Sequence, residues 1–383
     1  MLQVAVYENL SELDVFRLTW RDLLNKTRRP SFFQSPEWLE NYWEYFGSGQ
    51  KLKVFVVSLR GRPIGILPLV VQTAYTRLGK SRVLTYPLDG WGTVYGPIGP
   101  NPAATLAAVM RSVARSRRDW ELIDLRYVDN EGTDRRRTEA ALANAGFQAY
   151  RRDWQRAPAI NLPETWWDFW LGCSETHRKE ITSAEGLLGP DCSLVRYRPE
   201  GHALGDDDPR FDVLNQVTSV WPGGTESLAE IAGFFLDTHR TAVRRGNLDM
   251  AVLLQNGRPV ASAYGYVSGG HVDGIRLAVD PQAHSLTGSL FLARLVRDGL
   301  SRGDKQVILG AGADSLASRW RTTQLVTSRY THFSAVVPRA QAMRVGYCLR
   351  SWLGFDQTLP TPSTPAAVHT AVNRPAPRLA VVG

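Results

Sequence analysis

The chain repeats itself, and that repeat limits its fold more than any other feature. VFVVSLRGRPIGILPLVV (Val54 to Val71) and MAVLLQNGRPVASAYGYV (Met250 to Val267) each read as strand, tight Gly-Arg-Pro turn, strand. Setting Gly61 on Gly257 aligns the two hairpins. Downstream, RRDWELIDL (Arg117 to Leu125) echoes RGDKQVILG (Arg302 to Gly310), with Asp119 falling on Asp304. Between these echoes each half carries one more extended segment and a helix, Ala103 to Arg115 in the first and Gly288 to Ser301 in the second. The order hairpin, strand, helix, strand therefore occurs twice. The small change of offset between the two echoes falls in loops, where insertions are tolerated.

The remaining segments fit around this α/β frame. Leu10 to Leu24 and Pro36 to Phe46 read as helices, the second with Ser35 as N-cap and Pro36 at its first position. Phe147 to Tyr150 and Ala157 to Leu162 read as two strands closing the first half. The second half opens with helices at Thr165 to Leu171 and Glu175 to Leu187, a strand at Leu194 to Arg198 and a long amphipathic helix at Leu228 to Arg245. Arg339 to Leu353 reads as a last helix. The expected domains are 1–162 and 163–355, followed by a Pro-rich disordered tail at 356–383.

Composition narrows the class. With 383 residues and 43% hydrophobic content, the chain is long enough for about two cored domains. No run approaches the roughly 18 apolar residues of a spanning helix, and the N-terminus lacks the layout of a secretion signal, so a cytoplasmic protein without a transmembrane segment is expected. Cys173, Cys192 and Cys348 lie far apart with no metal-ligand spacing, and the run Asp206-Asp207-Asp208 has no His partners; neither calls for a metal. The net charge of +8 favours an anionic partner such as a nucleotide cofactor. Its arginines are scattered, and no DNA-binding signature accompanies them.

One loop stands out chemically. Val279-Asp-Pro-Gln-Ala-His-Ser-Leu-Thr-Gly-Ser joins a strand to a helix through small and polar residues. Backbone N–H groups at Leu286 to Ser289, the positive end of the helix dipole and the lack of a side chain at Gly288 together make an anion site there. His284 stands just before it, either touching a phosphate or idle in an exposed loop. The matching loop of the first half, Tyr95 to Pro102 (YGPIGPNP), has prolines that remove N–H groups, so it reads as a degenerate copy.

The residues FFQSPEWLENYWEYFG, HRKEI (His177 to Ile181), THRTAVRRGN (Thr238 to Asn247), DPQAHSLTGSLFLARLV and VILGAGADSLASRW resemble the GNAT acetyltransferase domain of the CelD/BcsL-like family of polysaccharide biosynthesis, and more distantly the Fem-type aminoacyltransferases. The resemblance spans most of residues 30 to 335. It implies two tandem GNAT-like domains, each a mixed sheet flanked by helices, the first degenerate. It further implies acyl transfer from acetyl-CoA or another acyl-CoA to an amine of a small-molecule or glycan-precursor acceptor. Ser285, Leu286, Thr287, Gly288 and Ser289 would hold the CoA diphosphate, and Leu309 to Asp314 would end the strand beside the reacting centre. Here the usual Tyr and Lys after the acidic residue are replaced by Leu316 and Ala317. A Fem-like transferase using charged tRNA and an inactive GNAT-fold scaffold are the alternatives.

Direct transfer needs an amine stripped of its proton and N–H groups for the oxyanion, with no covalent enzyme intermediate. Asp273, Asp314 and His239 are the candidate bases, and Arg240 and Arg276 the candidate substrate contacts. Each has a structural competitor: Asp273 as an ion-pair partner of Arg276, Asp314 as a helix cap near Ser315, and His239 as a core residue beside Phe234 and Phe235. The aromatics Phe32, Phe33, Trp38, Tyr42, Trp43, Tyr45 and Phe46 form either a substrate platform or domain core.

Overall fold

Both hairpins form where the repeat puts them. In the computed structural model, which describes residues 2–76, 78–88, 90–199, 217–220, 232–312 and 314–352, β2 (Lys51–Leu59) returns as β3 (Arg62–Thr76), and β8 (Leu248–Gln255) as β9 (Arg258–Ser268). The turns are Arg60-Gly61 and Asn256-Gly257, with φ of 51° and 78° in each. Two successive left-handed residues match the twist of the flanking strands. The turn thus lies one residue earlier than Gly-Arg-Pro, and Arg62 already pairs with Leu59.

Around β2 and β3 the first half carries β1 (Leu2–Tyr7), a 3-10 turn at Leu10–Phe16 leading into α1 (Arg17–Asn25), and α2 (Pro36–Phe46). It continues with β4 (Gly79–Thr85), α3 (Pro102–Arg115), β5 (Leu122–Val128), α4 (Arg137–Asn144) and β6 (Ala149–Asn161). The second half opens with α5 (Trp166–Gly172), α6 (Glu175–Leu188), β7 (Cys192–Tyr197) and α7 (Ala232–Arg244). After β8 and β9 come β10 (His271–Val279), α8 (Thr287–Ser301), β11 (Gln306–Ile308), β12 (Ala311–Gly312), α9 (Asp314–Trp320), β13 (Thr323–Phe333) and α10 (Pro338–Trp352). Ser35 caps α2 as expected, its hydroxyl accepting the Trp38 N–H at 3.1 Å. Both the acidic run at 206–208 and the tail at 356–383 lie outside the described residues.

In place of two separate sheets there is one, in the order β1-β2-β3-β4-β5-β13-β6-β11-β10-β9-β8-β7, with β12 beside β10. Its middle is an exchange. Strand β6 closes the first half in sequence but pairs with β11 of the second, while β13 ends the second half and pairs with β5 of the first. The two exchanged strands also pair with each other, from Thr323 opposite Ala159 to His332 opposite Ala149. The two short strands expected at 147–150 and 157–162 are this single β6. The long helix expected from Leu228 is described from Ala232 onward.

Side chains pin the exchange. Asp124 on β5, with its side chain 1% exposed, accepts from Arg126 Nε at 2.6 Å, Arg329 Nε at 2.5 Å and the Thr331 hydroxyl at 3.0 Å. Both guanidiniums lie over the Trp154 ring of β6, at 4.6 and 5.3 Å. Farther along the seam the predicted aromatic group is core: Phe32, Phe33, Trp38 and Tyr42 are buried. Phe32 and Phe33 meet Tyr266 of β9 at 4.6 and 5.5 Å, and Trp38 meets Phe234 of α7 at 5.6 Å. These rings hold the halves together instead of presenting a platform. No helix among the described residues is long and apolar enough to cross a membrane.

Burial alone would push the Asp124 carboxyl up, but Arg126 and Arg329 override it and hold it at about 2. A carboxylate depressed on folding stabilises the fold above its unfolded value near 3.8, and that contribution is lost as pH falls toward 2, on the order of 2 kcal/mol in all. Asp124→Asn should cost about 3 kcal/mol at neutral pH, since it leaves two guanidiniums without their counter-charge. Denaturant unfolding from pH 7 to pH 2 checks this. The gap between wild type and variant should narrow below pH 4, and a gap independent of pH would contradict the assignment.

Candidate active site

The strand β10 carries the main irregularity of the second half. Its pairing with β9 slips between Gly274 and Arg276, and its pairing along the other edge runs from Asp273 opposite Ile308 to Arg276 opposite Ala311. Ile275 therefore has no register partner on β9, a bulge of the kind that re-aims backbone N–H groups. A Cβ added at Gly274 would overlap the Ile308 carbonyl, and one added at Gly310 would overlap the Arg276 nitrogen. Only glycine lets the two backbones approach this closely. Because β12 rejoins β10 beyond the bulge, the seam stays closed; the cavity left beside it, lined by Arg276, Gly310 and Asp249 among others, is about 20 Å³, room for one water.

Side chains of α6 and α9 pack against the first turn of α8. Thr287, Gly288 and Ser289 are buried, while Ser285 is exposed and Leu286 half-buried. Leu316 of α9 sits against Gly288, its Cδ2 2.7 Å from where a Cβ would stand. The Ser289 hydroxyl donates to the Glu180 carboxylate of α6, which also receives Arg319 Nη1 at 3.1 Å. His284 serves the loop itself: its ring Nδ1 accepts the Leu286 N–H at 3.2 Å and its carbonyl the Thr287 N–H at 2.9 Å. Glu180 and Leu316 thus pack against the first turn of α8.

The predicted bases are dispersed. Asp273 is buried, not against Arg276 but against the first half: its carboxylate accepts from the Ser31 hydroxyl at 2.6 Å and the Thr93 hydroxyl at 3.4 Å, with Arg29 Nη2 at 3.6 Å. Burial raises its pKa, and Arg29, Ser31 and Thr93 only partly offset this. His239 is fully buried on α7, its Nδ1 3.3 Å from the Tyr264 hydroxyl, and burial lowers it to about 4. Asp314 is exposed in the first turn of α9, where a carboxylate suits the helix dipole. Arg240 is exposed and pairs with Asp237 at 3.4 Å. Arg276 is half-buried at the bulge, and desolvation lowers its pKa.

What the structure does bring together lies beside the turn at 26–29, one cavity within the first half and one between the halves. Two adjoining cavities of about 240 and 420 Å³ share Arg28, Arg29 and Thr133 as a common wall. The larger one is also lined by His271 of β10, Asn161 of β6 and Gln306 of β11. Burial, then Arg29 and Lys305, brings His271 down to about 4, so its ring is neutral at pH 7. Their combined size is that of a site for a small molecule. Nothing in the sequence marked Arg28 or Arg29, because THR-ARG-ARG-PRO at 27–30 looks like any basic surface turn.

Residues 203–320 match the family described as acetyltransferase (GNAT) domain. No curated protein matches the chain. Among solved structures, FemX is similar over 90% of this chain and 99% of its own, at 8% identity and a TM-score of 0.57. The C-terminal domain of a putative lysylphosphatidylglycerol synthetase from Agrobacterium fabrum is similar over 89% of this chain and 97% of its own, at 12% identity and a TM-score of 0.48. A tandem GNAT protein from the clavulanic acid biosynthesis pathway is similar over 86% of this chain and 98% of its own, at 14% identity and a TM-score of 0.45. Residues 203–320 are thus similar to a GNAT acetyltransferase domain, and the chain has a mixed α/β fold similar to that of FemX.

The glycines at the bulge give a direct test of the seam. Gly310→Ala should destabilise the protein by at least about 2 kcal/mol, because its Cβ would meet backbone that cannot rotate away. Thermal or denaturant unfolding reads this, and a change under half that size would mean the seam is looser than described.

Proposed function

We propose that the chain is an N-acyltransferase that moves an acyl group from a carrier to an amine of an acceptor lying in the cleft between the halves. The observation that carries this reading is the bulge at Ile275: it sits in the GNAT-matching segment, on the strand whose His271 lines that cleft. A re-aimed backbone N–H can steady the oxyanion that forms when an amine attacks an acyl carbonyl. The arrangement of two GNAT-like halves, the first of them without an intact donor site, belongs to this reading, as does a cytoplasmic setting where the donors are made.

The donor that the matched domain implies is an acyl-CoA, with Ser285 to Ser289 around its diphosphate. Beside that turn stand Glu180, which accepts from Ser289 and Arg319, and Leu316, which packs on Gly288. An aminoacyl carrier of the Fem type is the second reading, favoured by the FemX-like fold over nine-tenths of the chain. It does not require a diphosphate at this helix. The acceptor amine, on a sugar or cell-envelope precursor, follows from the resemblance to the CelD/BcsL-like family in either case.

Thermal shift with acetyl-CoA separates the donors. Under the first reading a hundredfold excess over the dissociation constant stabilises by about 2.7 kcal/mol. Leu316→Ala and Glu180→Gln should each strengthen binding by opening the mouth and removing a negative charge. If neither wild type nor these variants respond to acetyl-CoA while tRNA binds with a steep salt dependence, the second reading stands. No transfer of any acyl group to an amine would remove both.

A further inference from the structure

Helix α10 has apolar residues on two opposite faces, and the sheet covers one of them. On the covered face Ala340 and Tyr347 are buried with Leu122 of β5 and Phe333 of β13, and Met343 packs against them. On the other face Ala342, Val345 and Leu349 recur at spacings of three and four residues, which stacks them in one row along the helix. Val345 and Leu349 are 54% and 53% exposed, and Val336, in the turn before the helix, is 75% exposed. Scattered exposed aliphatics are ordinary, but a row of them opposite a packed face marks a second contact surface.

The charge around that row is of one sign. Residues 338–352 include Arg339, Arg344 and Arg350 and no carboxylate. Just before the helix Arg118 donates to the Ser334 hydroxyl at 2.9 Å, and the Arg152 guanidinium lies 3.4 Å over the Tyr347 ring. The nearby carboxylates Glu121, bound to Arg339, and Asp124, between Arg126 and Arg329, are both buried. Their charge is matched inside, so an excess of cations surrounds the outer face of the helix.

We propose that α10 docks the protein on an anionic lipid surface. Arginines flanking an apolar row suit such a surface, since guanidiniums meet the lipid phosphates while Val345 and Leu349 enter the boundary with the acyl chains. The helix lies on the bilayer and does not cross it, because its 15 residues are too few to span. A second copy of the chain fits the row less well. Two such faces would set arginines against arginines, and three aliphatic side chains fall far short of the roughly 20 to 30 residues a side of a stable interface. A nucleic acid would meet the arginines but leave the aliphatic row without a role. Docking uses neither the cleft nor an acyl donor, so it stands apart from the transferase reading.

Co-sedimentation of the full chain with vesicles of phosphatidylglycerol and phosphatidylcholine tests this, with pure phosphatidylcholine vesicles alongside. Binding to the mixed vesicles is expected, falling as salt rises, and at least about tenfold weaker on phosphatidylcholine alone. The double variant Val345→Ser, Leu349→Ser should weaken it about tenfold at an unchanged melting temperature, because both side chains stand outside the packed face. Arg344→Gln should weaken it about fivefold and flatten its salt dependence. Absence of binding to the mixed vesicles overturns the proposal, as does wild-type binding by the double variant. Should Arg344→Gln weaken binding while the double variant does not, with tRNA competing, the face is a general polyanion surface and the lipid assignment falls. A concentration-dependent dimer that the double variant abolishes, without vesicle binding, overturns it in favour of a second copy.

Discussion

The rest of the molecule depends on the double pairing of β13. One edge of this strand bonds to β5 and the other to β6, so a segment that ends the second half completes the sheet of the first. The Asp124 carboxylate, gripped by one arginine from each side of that junction, makes the pairing electrostatic as well as backbone-made. Because the sheet is continuous, the loop at 28–31 and the strand β10 are held at a fixed distance. Ser31 can then reach Asp273, and Arg29 is left between two cavities.

Each half carries a hairpin, a strand and a helix, and the surroundings of the two helices differ. At α8 the first turn stands beside Glu180, which accepts from the Ser289 hydroxyl, and Leu316, which packs on Gly288. At α3 Pro102 lines a cavity of about 240 Å³ whose wall carries Lys26, Arg28, Arg29, Arg137 and Asp134.

Local features were legible in the sequence because their causes are local. Both hairpins, the Ser35 cap of α2, and the helices α3, α6 and α8 follow from period, turn chemistry and capping. The exchange of β6 and β13 was not legible, since strand pairing across more than 150 positions leaves no mark on either segment. For the site, the loop at Ser285 was visible, but what fills it comes from α6 and α9 and is set by tertiary packing. Asp273 was recognised as special without its partners, because Arg29 and Ser31 lie 240 or more positions away. The aromatics of α2 read equally as platform or core, and only their burial decided between the two.

The exchange also bears on how such a chain is made. During vectorial synthesis β5 leaves the ribosome with one edge bare, and the strand that covers it is encoded some 200 residues later. Until then β6, its nearest companion in sequence, has neither β13 nor β11 to lie against. The first half therefore waits, partly assembled and with an adhesive border, for nearly the whole chain to emerge. Such long-range closure is slow and leaves a nascent chain open to mispairing, so the interval between translating β5 and β13 is when this protein most needs a chaperone.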